Sequence, residues 1–474
     1  MATTSTRGTI ESTPVPGLLV VRLDVHEDAR GWFKEGWQRQ RMTGLGLPDF
    51  GPVQHNVSFN TRRGVTRGIH AEPWDKLVSV AAGRVFAAWV DLRDGASFGA
   101  THWLELGPET AVFVPRGVGN AYQALEDGTA YSYLVNEHYV PGRSYPAVDL
   151  GDATAAIPWP VPLAEADLSE KDRTNPALAG VLPVPPPRTL VLGGDGQLGR
   201  ALARSFPDAD VAGRDRLDIS SAPAVAAWPW QDYDIVLNAA AYTQVDQAET
   251  RAGLAEAWAT NAAGVAALAR AAREHRLTFV HYSTDYVFDG RAAAHAEDEP
   301  VVPLNVYGQS KAAGELAATS VPHHYLLRTS WCVGAGDNFV RTMAALAARG
   351  ARPAVVTDQV GRLTFSSTLA DATRHLLTAA APWGTYHVSN AGTPMSWFDL
   401  AREVFALCGR SPEDVRPTTT AAYAAGRLGA RQPFAVRPAS SVLALDKLVR
   451  TGFQPVDQLH ELKTYLGEDP HPWS

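Results

Sequence analysis

The chain has 474 residues, of which 45% are hydrophobic and 19% are charged, so two or three globular domains are expected and extensive disorder is excluded. A formal net charge of −8 at pH 7, without any basic block, argues against a nucleic-acid polymer as partner. Two cysteines, Cys332 and Cys408, exclude a disulfide framework and fit a reducing compartment.

Neither a leader nor a membrane anchor is predicted. Residues 1–17 contain no apolar core of the length found in signal peptides. No later segment reaches the roughly 20 apolar residues that a membrane-spanning helix needs. The sequence therefore predicts a cytoplasmic protein without a membrane partner.

Short runs rich in β-branched and aromatic residues, broken by glycine and proline, fill the first third of the chain. Frequent short strands with little helical periodicity predict an all-β sandwich or barrel. The predicted strands are residues 18–23, 77–80, 84–92, 111–114 and 129–135.

A proline-rich segment, residues 182–187, follows this region. Proline fixes its own φ and disfavours helix in the residue before it, so the segment is predicted to be a stiff, extended spacer. We therefore predict a domain of residues 1–182, a linker of residues 183–187 and a domain of residues 188–474.

Beyond the linker, apolar strands alternate with alanine-rich stretches of helical character. The strands are predicted at residues 189–192, 235–238, 278–282 and 325–328, and residues 255–274 are one of the stretches predicted to be helical. This alternation predicts βαβ units and a parallel sheet.

A glycine-rich turn joins the first of these strands to a helix that begins at Gln197. Its glycines satisfy both Gly194-x-Gly196-x-x-Gly199 and Gly193-x-x-Gly196-x-x-Gly199. Glycine there allows a tight turn and close approach of a pyrophosphate. In this context the motif predicts a dinucleotide site, although alone it is a weak signal.

The residues after the second strand bear on the choice of cofactor. Arg214 could meet the 2′-phosphate of NADPH, whereas the neighbouring Asp215 could favour the free ribose of NADH. The sequence favours NADPH and leaves NADH open.

About a hundred residues after the glycine turn, Tyr307 and Lys311 lie four positions apart. On a helix these positions share a face, so the ammonium of Lys311 could favour the ionised form of the Tyr307 phenol. Such a pair can exchange a proton while a hydride moves to or from a carbonyl. The second domain is therefore predicted to be a redox enzyme.

Three motifs of the second domain resemble one family. They are Asn238-Ala239-Ala240-Ala241-Tyr242-Thr243-x-Val245-Asp246-x-Ala248-Glu249, Tyr282-Ser283-Thr284-Asp285-Tyr286-Val287-Phe288-Asp289-Gly290 and Pro303-Leu304-Asn305-Val306-Tyr307-Gly308. They look like the dTDP-4-dehydrorhamnose reductases, which belong to the extended short-chain dehydrogenases. The resemblance implies a Rossmann fold with a C-terminal substrate-binding subdomain.

The same resemblance implies three sets of residues. The catalytic residues would be Thr284, Tyr307 and Lys311. Cofactor binding would involve Gly193, Gly196, Gln197, Leu198, Gly199, Arg214, Asp218, Ala239 and Ala240, together with Tyr307 and Lys311. Substrate binding would involve Asp285, Tyr286, Trp331, Asn338 and Arg437. The resemblance also makes Mg²⁺ possible, although no cluster of ligands in the sequence demands a metal.

The first domain resembles a second family. The motifs are Asp28-Ala29-Arg30-Gly31-Trp32-Phe33-Lys34-Glu35, Gln54-His55-Asn56, Arg67-Gly68-Ile69-His70 and Leu168-Ser169-Glu170-Lys171-Asp172. They look like the dTDP-4-dehydrorhamnose 3,5-epimerases, which have a cupin-type double-stranded β-helix and use no metal. The histidines of this domain indeed show no spacing that predicts a metal site.

This resemblance assigns His70 as the base, Asp172 as its orienting partner, Tyr133 as the acid and Lys76 as the group that stabilises an enolate. The nucleotide diphosphate would be held by Arg30, Phe33, Glu35, Gln54, Asn56 and Arg67, and Asn120 and Tyr139 are predicted as further substrate-binding residues. A homodimer formed through this domain is expected. One departure stands out: Gly119-Asn120-Ala121 replaces the usual Ala-His-Gly, and asparagine cannot carry a proton at neutral pH.

Together the resemblances imply a bifunctional enzyme that converts dTDP-4-keto-6-deoxy-D-glucose to dTDP-L-rhamnose. Two alternatives stay open. The chain could perform the same chemistry on a different dTDP-deoxysugar, as Asn120 suggests, or its second domain could be a regulatory nucleotide-binding domain without turnover.

Overall fold

The computed structural model describes residues 8–138 and 145–467, and the chain divides into two compact units, Met1–Pro186 and Pro187–Ser474. Tyr139, one of the predicted substrate-binding residues, lies outside the described residues. In the described part no helix is long and apolar enough to cross a membrane.

The first unit is built almost entirely from strands. These are β1 (Ile10–Ser12), β2 (Leu19–Arg22), β3 (Val25–Asp28), β4 (Gly31–Lys34), β5 (Gln54–Asn60), β6 (Thr66–His70), β7 (Lys76–Ala82), β8 (Val85–Asp91), β9 (Thr101–Leu106), β10 (Thr110–Val114), β11 (Val118–Ala124) and β12 (Thr129–Val135). Two short helices, α1 (Arg39–Gly44) and α2 (Glu170–Arg173), accompany them. The predicted all-β character of this region is confirmed.

Two antiparallel sheets form the body of this unit. One has the order β1-β2-β10-β7-β12-β5 and the other the order β6-β11-β8-β9. Their facing side chains form one core, in which Val78 and Val112 from the larger sheet join Trp89 and Val118 from the smaller one. Because side chains alternate along a strand, one face of each sheet is committed to this core.

The strand β8 is buried on both faces, which explains its uninterrupted apolar sequence. Its second face lies under the chain that follows residue 145, where Val148, Leu150 and Leu178 pack against Val90. The proline-rich segment ends this cover with an isolated parallel bridge to Arg93, in which Val184 N donates to Leu92 O and Val184 O accepts from Asp94 N.

The second unit alternates strands and helices. Its strands are β13 (Thr189–Leu192), β14 (Asp210–Ala212), β15 (Ile235–Asn238), β16 (Thr278–Thr284), β17 (His324–Thr329), β18 (Cys332–Val333), β19 (Ala354–Val356), β20 (Val360–Gly361), β21 (Thr364–Phe365), β22 (Gly384–His387), β23 (Met395–Ser396) and β24 (Arg416–Thr418). Its helices are α3 (Gln197–Ser205), α4 (Ala222–Ala227), α5 (Arg251–Trp258), α6 (Val265–Glu274), α7 (Val306–Ala318), α8 (Phe339–Ala348), α9 (Ser366–Thr378), α10 (Trp397–Leu407), α11 (Thr420–Gly429), α12 (Asp446–Val449) and α13 (Gln458–Gly467).

The central sheet of this unit is parallel, with the order β14-β13-β15-β16-β17-β22, as the alternation predicted. The chain places β14 on one side of β13 and then crosses to the other side with β15. The loops after these strands therefore diverge and leave a crevice at their carboxyl ends. Apolar clusters cover both faces of the sheet.

The stretch predicted to be helical, residues 255–274, is helical throughout. Two helices, α5 and α6, are joined there by a π-helical turn at Ala259–Gly264. The side chain of Asn261 in this turn bonds both the N–H and the C=O of Tyr242, and a Cβ on Gly264 would lie 2.7 Å from Ile219 O. These contacts across the fold override the regular helical spacing that the alanine-rich sequence favours.

Candidate active sites

A cavity of about 550 Å³ opens between the two sheets of the first unit. Its lining includes four of the predicted catalytic residues and several polar side chains that the sequence did not single out. The lining residues used below are Asn60, Arg67, His70, Glu72, Lys76, Asn120, Tyr122, Tyr131, Tyr133, Ser169 and Asp172.

His70 ends β6, on the smaller sheet, and faces Asp172 on α2. Their Nε2 and Oδ1 atoms are 2.8 Å apart. Ser169 caps α2 by accepting a hydrogen bond from Asp172 N at 3.1 Å, which fixes the carboxylate in place. Burial raises the pKa of Asp172, but its contacts with His70 and Ser169 outweigh burial and leave it below the usual value. An ionised Asp172 thus orients the imidazole and leaves Nδ1 to take up a proton.

Tyr133 and Lys76 come from the larger sheet, opposite His70. Tyr133 lies in β12 beside β7, which begins at Lys76. Burial, and next the carboxylate of Glu72, raise the pKa of Tyr133, so the phenol stays protonated at neutral pH. Lys76 is 4% exposed and forms an ion pair with Glu72. The cavity therefore has a base on one wall and an acid with a cation on the other.

Asn120 stands directly opposite His70 in the pairing of β11 with β6. Its Oδ1 accepts a hydrogen bond from the fully buried Tyr131 at 3.1 Å, and the Tyr131 ring stacks on Tyr122 with centroids 4.0 Å apart. The amide is therefore held in one orientation, with its N–H₂ group as a donor and no proton to exchange.

The sequence missed Glu72, Tyr122 and Tyr131. A signal for one of them was present, because Tyr131 and Tyr133 are two apart on one strand and so share a face. Glu72 lies in the turn between two strands of different sheets, and no periodicity reports on such a position.

Only one of the predicted diphosphate-binding residues lines the cavity. Arg67 lines the cavity, with its Nε 3.4 Å from Asn60 Oδ1. The others are placed outside the cavity lining: Arg30, Phe33, Glu35, Gln54 and Asn56. Arg30 pairs with Asp28 on the exposed β3–β4 hairpin, where the Phe33 side chain is 69% exposed.

A second site lies in the crevice at the carboxyl ends of the parallel strands. A pocket of about 190 Å³ there is lined by Gly193, Asp195, Gly196, Arg214, Leu217, Asp218, Ile219, Ala239, Ala240, Ala241 and Thr260. Most of the predicted cofactor-binding residues are thus brought together. Gln197 and Leu198 begin α3 beside it, where no described side chain caps the first turn. The free N–H groups of such a turn bind phosphate.

Two glycines are sterically required at this turn. Gly193 has φ +75, and a Cβ there would lie 2.6 Å from Ala240 N. A Cβ on Gly199 would lie 2.1 Å from Gly193 O. Only glycine lets the turn, the helix and the next strand approach so closely.

Thr284, Tyr307 and Lys311 meet where β16 ends against α7. Asn305 caps α7, so Tyr307 and Lys311 fall on its first turns with the predicted spacing. Thr284 hydrogen-bonds Tyr307, and Lys311 Nζ donates to Tyr282 O at 2.6 Å. Burial raises the pKa of Tyr307, and it lowers the pKa of Lys311 to about 8. Burial thus outweighs the predicted effect of Lys311 on the phenol, which stays protonated as an acid.

Asp285, Tyr286 and Arg437 form a wall next to these residues. Asp285 is 2% exposed and its Oδ1 accepts from Thr284 Oγ1 at 3.0 Å, so it supports the threonine. Burial raises the pKa of Asp285 to about 6. The Tyr286 ring meets Tyr307 edge-on, with centroids 5.9 Å apart.

Two other predicted substrate residues have clear structural partners. Trp331 stacks on Trp397 with centroids 3.6 Å apart. Asn338 caps α8, and its amide donates to Gly334 O and to the Tyr465 hydroxyl at 3.0 and 3.1 Å. Asn338 therefore shapes the loop of residues 334–338.

Among the described residues no group of three or more His, Cys, Asp or Glu side chains could hold a metal ion. No step of the chemistry is assigned to the Mg²⁺ that the resemblance made possible.

Two protein families match the chain, one in each of its two compact units. Residues 12–180 match the family described as dTDP-4-dehydrorhamnose 3,5-epimerase, and residues 187–469 match the family described as RmlD substrate binding domain.

Individual relatives cover each part almost completely. The protein named Probable dTDP-4,6-dihydroxy-2-methyloxan-3-one 4-ketoreductase, from Streptomyces antibioticus, is 44% identical and covers 57% of this chain and 90% of its own length. Protein RmlC homolog from Streptococcus pyogenes serotype M6 is 43% identical; the match covers 37% of this chain and 92% of the relative's length. In the crystal structure of dTDP-4-dehydrorhamnose reductase from Bacillus anthracis in complex with NADP, the chain is 31% identical in sequence and superposes with a TM-score of 0.53. The match covers 60% of this chain and 99% of that one.

Proposed function

The chain belongs to two families, the dTDP-4-dehydrorhamnose 3,5-epimerases in its first unit and the RmlD substrate binding domain family in its second, and we propose how its two sites act in sequence. It is a bifunctional enzyme of dTDP-L-rhamnose synthesis, an isomerase and an NAD(P)H-dependent oxidoreductase. The first unit is proposed to be a double-stranded β-helix, and the second an extended short-chain dehydrogenase with a C-terminal substrate-binding subdomain.

In the first site, His70 removes the hydrogen next to the C4 ketone of dTDP-4-keto-6-deoxy-D-glucose. The electron pair moves onto the carbonyl oxygen, and Lys76 stabilises the resulting enolate. Tyr133, on the other wall, returns a proton to the opposite face of the carbon and inverts it. Acting once at C5 and once at C3, this pair gives dTDP-4-dehydro-L-rhamnose. The observation that carries this role is the 2.8 Å His70–Asp172 contact facing a protonated Tyr133.

In the second site, the nicotinamide cofactor supplies a hydride to C4 when it is bound along the glycine turn. The Thr284 hydroxyl, which donates to Asp285 Oδ1 in this structure, turns to donate to the C4 oxygen, and Tyr307 protonates that oxygen as charge develops on it. Lys311 holds the ribose of the cofactor and supports the phenolate that remains. The observation that carries this role is the meeting of Thr284, Tyr307 and Lys311 beside the glycine crevice.

The two roles are tested together in heavy water. Protein, dTDP-4-keto-6-deoxy-D-glucose and NADPH should give dTDP-L-rhamnose that carries deuterium at C3 and C5, as read by NMR. Deuterium at one carbon alone would restrict the first site to a single epimerisation. Absence of both product and NADPH oxidation would contradict the proposed substrate.

We expect the reductase step to lose activity above about pH 8, where buried Lys311 loses its proton. Burial has moved this pKa down, so the cation is present below that value and absent above it. The value of kcat/KM with pre-formed dTDP-4-dehydro-L-rhamnose should fall about tenfold for each pH unit above the pKa of Lys311. An unchanged rate up to pH 10 would contradict the cationic role.

NADPH is the proposed cofactor, because Arg214 lines the crevice directly after β14, where the 2′-phosphate would lie. Replacing Arg214 with Ala should raise the KM for NADPH about tenfold and leave the KM for NADH nearly unchanged, as expected for one lost charged contact. Arg204→Ala, on the same unit, is the matched control. Equal effects on both cofactors would contradict this preference.

We further propose that two copies associate through their first units. The β3–β4 hairpin exposes Phe33, and the edge strand β5 exposes Val57 and Phe59, at 69%, 58% and 61%. An edge strand of this kind favours pairing with another chain. Sedimentation should then give twice the mass of one chain, and Phe59→Lys should give the single mass.

A different dTDP-deoxysugar is the second candidate substrate. It is favoured by Asn120 in the first site and by the Streptomyces antibioticus relative, which is named for another 4-keto sugar. A panel of dTDP-4-keto sugars, followed by NADPH oxidation, separates the two. Turnover also separates the enzyme from a nucleotide-binding regulator, against which the complete Thr284, Tyr307 and Lys311 set argues.

A further inference from the structure

Asp246 is a carboxylate for which neither proposed mechanism gives a role. It follows β15, at the carboxyl edge of the parallel sheet, and is about one-fifth exposed. Its Oδ1 accepts hydrogen bonds from Arg437 Nη1 at 2.7 Å and from Ala435 N at 2.9 Å, and its Oδ2 accepts from Arg427 Nη2 at 3.3 Å. All three donors belong to one short segment, residues 427–437.

At its start this segment is held by hydrogen bonds of Arg427, to Asp246 and to Pro433 O, and not by a buried core. The helix α11, which runs into it, contributes no buried residue to any core. At its other end, Val436 O accepts from Asn305 Nδ2 at 2.8 Å, and Asn305 is the cap of the helix that carries Tyr307 and Lys311. Asp246 and Asn305 thus tie the segment across the mouth of the second site.

The contact with Asp246 fixes the orientation of the Arg437 guanidinium. Its Nη1 is taken by Asp246 and by Ala435 O at 2.6 Å, while its guanidinium also hydrogen-bonds Tyr286, whose ring meets Tyr307. A guanidinium carries five N–H groups in a fixed plane, so anchoring one edge turns the remaining groups toward a ligand. Arg437 is therefore presented beside the reacting centre in one orientation.

We propose that Asp246 is a positioning residue for substrate binding in the second unit: it fixes Arg437 so that its free N–H groups receive the diphosphate of the dTDP-sugar. This inference rests on the proposed reductase function. The planar fork of an arginine matches the oxygens of a phosphate group, and prior fixation removes the entropy cost of ordering a long side chain on binding.

The test is the KM for dTDP-4-dehydro-L-rhamnose, followed as NADPH oxidation by the full chain. Asp246→Ala should raise the KM about tenfold and change kcat less than about twofold, because the interaction serves binding and not the chemical step. Asp246→Asn should raise it only about threefold, since Asn Oδ1 can still accept from Arg437. Asp371→Ala, at an exposed pair on α9, is the control and should leave both constants unchanged.

A double-mutant cycle separates positioning from general damage. In an Arg437→Gln background, Asp246→Ala should add nothing further to the KM, because the residue it positions is gone. Additive effects, or a fall in kcat with an unchanged KM, would overturn the inference, and Asp246→Asn carries the same cycle if the alanine variant does not fold. A wild-type chain that fails to oxidise NADPH with this substrate would overturn the reductase function itself, whereas an active wild type with an equally active Asp246→Ala overturns only the role of Asp246.

Discussion

Replacing Tyr307 with Phe is expected to lower kcat for NADPH oxidation about 10³-fold while leaving the first site intact. Phenylalanine fills the same space on α7 but has no proton to give to the C4 oxygen. Thr284 alone cannot replace it, since its aliphatic hydroxyl can donate a hydrogen bond but is too weak an acid to transfer its proton at neutral pH. The measurement is the initial rate of NADPH oxidation with pre-formed dTDP-4-dehydro-L-rhamnose.

The matched control for this variant is Tyr386→Phe. That tyrosine lies in the same unit and is buried, and its hydroxyl bonds Pro382 O, on the backbone between α9 and β22. We expect near-normal turnover from it. Deuterium incorporation at C3 and C5 should persist in Tyr307→Phe, because that exchange belongs to His70 and Tyr133. A Tyr307→Phe protein that still reduces the ketone at more than a tenth of the normal rate would remove Tyr307 from its proposed role.

The second large effect is expected at His70. In His70→Asn the deuterium exchange should fall about 10³-fold, since no other side chain on that wall of the cavity can take a proton at neutral pH. Asn120 lies opposite His70 on the neighbouring strand β11, and its Oδ1 accepts a hydrogen bond from Tyr131. Its amide cannot take up a proton in place of the imidazole. The rate is measured by NMR in heavy water without cofactor.

His102→Gln provides the comparison for this variant. His102 belongs to the same unit but stacks on Trp89 away from the cavity, so exchange should be unaffected. His70→Asn should also oxidise NADPH normally when supplied with dTDP-4-dehydro-L-rhamnose. Loss of both activities in this one variant would mean that the two sites are not independent.

Much of the architecture was readable from residue patterns. Short strands and the uninterrupted run of β8 predicted an all-β first part, and the βαβ alternation predicted the parallel sheet. The four-residue spacing of Tyr307 and Lys311, and the glycines at 193, 196 and 199, placed one site on its elements. These features are local, because they depend on backbone sterics and side-chain periodicity within a few residues.

The spacing of residues did not predict features that depend on contacts between residues distant in the sequence. The alanine-rich stretch at 255–274 is helical as predicted, but its periodicity did not indicate the π-helical turn, where Asn261 bonds Tyr242. Glu72 entered the first site through a turn between sheets, unseen by any periodicity. The Asp246–Arg437 contact joins residues 191 positions apart.

The sequence by itself thus determined the two families, the class of each fold and the residue types that carry the chemistry. Only the tertiary structure decided which side chains share a cavity, which carboxylate holds which cation, and which predicted ligands stay outside, as Phe33 does. Burial also decided protonation, because it keeps Tyr307 and Tyr133 neutral and lowers the pKa of Lys311 to about 8. The physical reason is that desolvation and ion pairing between distant residues depend on which segments come into contact in the folded chain. The spacing of residues along the sequence does not specify those contacts.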